Sequence, residues 1–170
     1  MKTRVILTLC VVFFLGVVSN ANAQVTLVAG SPEDKAFTAA MAETNLDAKI
    51  KLLEAFEKQF PNSKVLPDIF NELMGAHRQK NDNTKITEVG ERAIKVDPEN
   101  FMALMAVSRN FAMAKSNLER AVTYAQKAVD VLVKKKTEPR YNEDAAWKQY
   151  IDSTETSAKA NLTYVRSIRP

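Results

Sequence analysis

Apolar side chains recur along most of this chain at steps of three and four, the spacing that gives a helix one buried face. Two stretches share the pattern at a fixed offset: Phe70, Leu73, Met74 and His77 return 34 residues later as Leu104, Val107, Ser108 and Phe111. A period of that length with that spacing marks a stacked helix-turn-helix unit. No alternation of apolar and polar positions argues for a strand.

Local punctuation divides the pattern into elements. Ser31 is placed to cap a helix opening at Pro32, with Glu33 and Asp34 in its first turn. A turn near Asn45 leads into a second helix that ends before Phe60-Pro61-Asn62-Ser63. Pro67-Asp68 opens a third, and Asn81-Asp82-Asn83 breaks it, since Asn and Asp tolerate turn geometry and compete with helical hydrogen bonds. The fourth and fifth helices cover 84–96 and 101–114, and Ser116-Asn117 separates a sixth, from Leu118 to about Lys134. Glu138-Pro139-Arg140 reads as a short connector. A last helix begins at Asn142 or Glu143 and meets no Gly or Pro until Pro170; Trp147, Ile151, Thr154, Ala158, Leu162 and Val165 mark one face of it. That stripe is expected to cover the end of the last repeat, with self-association as its alternative use.

The residues at 67–100 resemble the tetratricopeptide (TPR) repeat family without a gap. Phe70, Leu73 and His77 fall where the family's first helix carries large residues, Ile86 takes a slot usually held by alanine, Gly90 and Ala93 supply small faces, and Pro98 ends the unit. The next window keeps Leu104, Val107 and Phe111, then needs one extra residue to place Ala121, Ala125 and Ala128. An earlier unit is divergent: Ala36, Phe37 and Ala40 fit its first helix and Leu53 and Phe56 its second, but Lys49 stands where a small residue is expected and Phe56 replaces alanine. Terminal units of such stacks are commonly atypical. The ending Phe60-Pro61-Asn62-Ser63 is similar to repeats of exported bacterial envelope proteins.

Composition and charge narrow the picture at the N-terminus. Lys2 and Arg4, the apolar run Val5 to Val18 and the small residues Ala21-Asn22-Ala23 read as a secretory signal peptide, cleaved after Ala23. The run is shorter than the roughly 20 residues of a membrane-spanning helix. Cleavage would leave 147 residues, 22 basic and 20 acidic side chains, and no cysteine, because Cys10 is the only one. A net charge of +2 argues for neither nucleic acid nor an anionic membrane as partner, and the fold must hold without disulfides. The expected division is a cleaved leader at 1–23, a linker at 24–30, helical repeats at 31–137 and a C-terminal helix at 138–170.

Candidate chemistry is sparse. His77 is the only histidine and occupies the slot of Phe111, so it reads as a partly buried aromatic substitute. No metal-ligand set, nucleophile motif or glycine-rich phosphate loop occurs, so neither cofactor nor metal is expected. Lys134-Lys135-Lys136 reads as a solvated helix end favoured by the backbone dipole. Asn161-Leu162-Thr163 has the form of a glycosylation acceptor but falls inside a helix.

The TPR resemblance implies an all-α solenoid of about three helix pairs plus a long C-terminal capping helix, with the first helix of each pair lining a concave face. Residues between the core positions are then expected on that face: Thr38 and Met41; Asn71, Gly75, Arg78 and Gln79; Met102, Met105, Arg109 and Met113. Flexible, polarisable methionines suit contact with an apolar peptide, and the arginines suit a carboxylate or carbonyl oxygen. Some of these methionines are also readable as filling gaps between adjacent repeats. The function expected is non-catalytic: a periplasmic or secreted scaffold or adaptor of the bacterial cell envelope that binds a protein or peptide. The alternative is a homodimer assembled through the C-terminal helix.

Overall fold

The computed structural model describes residues 27–168; the expected leader and its cleavage site lie outside them. The described residues form eight helices and no strand: α1 (Pro32–Ala42), α2 (Leu46–Gln59), α3 (Leu66–Gln79), α4 (Asn83–Val96), α5 (Phe101–Met113), α6 (Leu118–Lys135), α7 (Pro139–Glu143) and α8 (Ala145–Ser167). None of them is long and apolar enough to cross a membrane.

Side-chain caps set most of the starts. The Asp34 amide donates to Ser31 Oγ at 3.1 Å, the Asp47 and Ala48 amides to Asn45 Oδ1 at 3.0 Å, and the Lys85 amide to Asp82 Oδ1 at 3.0 Å. Each bond satisfies an amide that the first turn leaves without a carbonyl. Asn81 and Asn117 take left-handed backbone (φ 58° and 48°), which Asn enters more readily than most residues, and so reverse the chain between α3 and α4 and between α5 and α6.

The end of the chain departs from the sequence reading in two places. Glu138-Pro139-Arg140 is no plain connector: Pro139 starts the single turn α7. The last helix begins later than Asn142 or Glu143, because Asp144 is the residue whose carboxylate reaches the Trp147 amide, at 2.9 Å.

Consecutive helices pack on one another from α1 through α6, α3 also touches α5, and α8 lies on both α6 and α5. Short turns make neighbours antiparallel, so α3 and α5 run in the same direction. The core is layered accordingly. Leu53, Phe56, Ile69, Phe70, Leu73, Met74 and Val89 meet Ala103 and Ala106 of α5, while Ala125, Val129 and Leu132 of α6 meet Ile151, Ala158 and Leu162 of α8. Val107, Phe111, Ala121 and Val165 close the far end.

Helices approach closely at Gly90. A Cβ built there would sit 2.5 Å from Val107 Cγ2 and 3.3 Å from Met74 Sδ. The residue is therefore small because α4, α3 and α5 converge on it. In the α1–α2 pair a large residue is accommodated instead: Phe56 is buried between Phe37 and Phe60, with ring centroids 6.2 and 5.0 Å away. Lys49 lays its chain over the surface and pairs with Glu72 of α3 at 3.0 Å.

Candidate binding face

The expected face divides into two parts. Toward α8 it is closed by packing: Met105 joins the apolar cluster shared by α5, α6 and α8, and the Tyr150 hydroxyl reaches Met102 Sδ at 3.3 Å. Met41 packs into the N-terminal core. For these three methionines the filling role describes the geometry, because α8 is laid along α5 and α2 lies against α1. Asn71 is also engaged: it accepts a hydrogen bond from Asn100 Nδ2 at 3.2 Å, while Asn100 Oδ1 caps α5 through the Ala103 amide at 3.0 Å.

Toward the C-terminal turns of α3 and α5 the face stays open. Arg78, Gln79, Arg109 and Met113 are exposed, Met113 to 57 %, and nothing approaches within 4 Å of the position a Cβ on Gly75 would take. Because α3 and α5 run parallel, these turns lie at the same end of the molecule. Gly75 contributes no contact there while lowering helix stability. Gly75→Ala is therefore expected to stabilise the chain by about 0.5–1 kcal/mol, read as a higher chemical-denaturation midpoint.

Arg78 and Arg109 differ from the other arginines of the described residues. Arg92 pairs with Glu57, Arg120 with Glu91, Arg140 with Asp144, and Arg166 donates to Gln126. Arg78 and Arg109 make no side-chain hydrogen bond, ion pair or ring contact among the described residues. On the side formed by α2, α4 and α6 the charges neutralise one another in register: Glu57 and Glu91, 34 residues apart, each hold an arginine of the next even-numbered helix. Sequence reasoning missed these pairs, although the repeat offset relates their acids.

The lysine run is not merely a solvated end. Lys134 binds Glu99 at 2.7 Å, Lys135 binds Glu138 at 2.8 Å, and Lys136 reaches across to Asp152 and Glu155 of α8. Glu155, only 6 % exposed, takes the place in the buried stripe assigned to Thr154. Lys136 and Lys159 both hydrogen-bond its carboxylate and hold it below the usual carboxylate pKa. Hydrogen bonds from Lys136 and Tyr141 take Asp152 down to about 2. Asn161 is likewise structural: its Nδ2 donates to Ser108 Oγ at 3.0 Å, and that hydroxyl donates to the Ala121 carbonyl at 2.8 Å, joining α8, α5 and α6.

His77 is more deeply placed than the sequence reading had it, 6 % exposed, with neither ring nitrogen hydrogen-bonded. Among the described residues no three His, Cys, Asp or Glu side chains group as a metal site. No protein-family model, curated protein or solved structure matches the chain.

Proposed function

We propose that the chain is a non-catalytic scaffold of the TPR kind, exported to the cell envelope, which holds a peptide or protein segment on the open face at the C-terminal turns of α3 and α5. The observation that carries this is the pair Arg78 and Arg109, charged, exposed and without partners, where neighbouring arginines are engaged. An arginine with nothing to bind retains its full donor set for a carboxylate or carbonyl of another chain. The stacking of successive helix pairs and the close approach at Gly90 support the repeat architecture.

Self-association through Trp147 and Ile151 is the weaker reading. Ile151, Ala158, Leu162 and Val165 are already buried against the chain's own α5 and α6, and Trp147 lies under the Arg140 guanidinium at 4.3 Å.

The test is affinity capture with the tagged chain and its Arg78→Ala/Arg109→Ala variant. Two charge-assisted hydrogen bonds, each worth about 1.5–3 kcal/mol, predict that the variant loses at least ~90 % of the captured partner with an unchanged helical circular dichroism spectrum. An unchanged partner yield removes the face from consideration.

A further inference from the structure

The α1–α2 pair hangs on the remainder mainly through α2 against α3, since α2 is the principal neighbour of α1. Leu53 and Phe56 supply the apolar part of that attachment, packing in one cluster with Ile69, Phe70 and Leu73. Two ion pairs flank it on the surface, Lys49 with Glu72 and Lys80 with Asp47. His77 lies on α3 one turn beyond Leu73 and is buried, with Glu54 of α2 among the charged groups that act on it.

Its surroundings suit a neutral ring and not a charged one. Neither Nδ1 nor Nε2 finds a hydrogen-bond partner. The neutral ring leaves one N–H unsatisfied; the protonated ring would leave two, together with a buried charge. The charged groups that face it come from each neighbouring element: Glu54 on α2, Lys85 on α4, and Lys80 and Asp82 in the turn that follows α3. The two acids favour the cation and the two lysines oppose it, so burial decides.

We infer that His77 is an acid-sensitive latch: neutral, it lets α2 close over α3, and protonated, it releases the α1–α2 pair. Water then reaches the ring, and the apolar faces of α2 and α3 become accessible while α5, α6 and α8 stay packed. Burial, the largest influence, keeps the His77 pKa below its ordinary value. The folded state therefore binds fewer protons than the opened one, and closure weakens as pH falls below about 6.5 toward the lowered value. The response of Asp152 and Glu155 belongs to lower pH, because their pKa values are depressed.

The test is amide hydrogen exchange at pH 7.5 and pH 5, corrected for the intrinsic rate. The expected result is that protection of α1 and α2 falls at pH 5 relative to pH 7.5, while α5 and α6 keep theirs. His77→Phe, which places the residue of the equivalent Phe111 slot, abolishes the difference. Equal loss in that variant, or loss spread evenly over all helices, overturns the latch. Should His77→Phe fail to fold, the ring-proton titration of the single histidine decides in the unaltered chain. A pKa at or above about 6.5 in the folded protein also overturns it.

Discussion

Replacing Gly90 by leucine is expected to destabilise the chain by about 3 kcal/mol, seen as a large fall in the midpoint of urea unfolding. Overpacking a filled core costs about 1–3 kcal/mol, and more where the neighbours are stiff. Here the first added atom already meets Val107 Cγ2 at 2.5 Å, and valine has little rotamer freedom in a helix. Gly90→Ala is the smaller version: the gain of about 1 kcal/mol in helix propensity offsets part of the clash, leaving a milder loss. Gly75→Ala, one turn into open space, shifts stability the other way. Opposite signs at two mid-helix glycines separate close packing from backbone entropy, since both substitutions stiffen the unfolded chain alike.

The second large effect is expected at α8. Ile151→Ala should cost about 2–5 kcal/mol, because the side chain is fully buried between α8 and α6 and its removal leaves a cavity. Tyr164→Ala, on the exposed side of the same helix, should stay within about 0.5 kcal/mol. Differential scanning calorimetry of the two variants reads the contrast. The same docking is held by carboxylates whose pKa values are depressed, Asp152 to about 2 and Glu155 below its ordinary value. Their contribution is fully present above the unfolded values near 4 and is lost as pH falls through the folded ones. Undocking of α8 on acidification therefore belongs below about pH 4, apart from the window of His77. Near-ultraviolet circular dichroism of Trp147 is a direct reporter, since its ring lies between Arg140 and Tyr150.

The helices were legible because their signals are local. Ser31, Asn45 and Asp82 cap through side chains two or three residues from their amides, and Pro32 and Pro67 sit in first turns, so no tertiary information was needed. The small residue at Gly90 was legible through the repeat offset. What escaped the sequence depends on contacts between distant segments. Three polar residues in a row, Asn142, Glu143 and Asp144, each resemble a cap, and only the local geometry selects Asp144. Glu155 sits at helical spacing from Ile151 and Ala158, yet a carboxylate on an apolar stripe reads as surface until Lys136 and Lys159 are brought beside it. Met102 and Met105 fit a groove or a filling role equally in local pattern, and only the path of α8 along α5 selects the filling role. Arg78 and Arg109, by contrast, have no distant segment laid over them and are exposed; the face they share was expected from the TPR resemblance.

The most direct test of the binding face uses a photoreactive benzophenone amino acid at position 79 or 113, beside the two arginines, and at position 95 on the opposite side. Lys95 faces the groove between α4 and α6, where charges are already paired. Under the proposed function, irradiation of cells that make the chain should join a partner protein to it from positions 79 and 113 and not from 95. Adducts formed from position 95 alone, or equally from all three, would contradict the account.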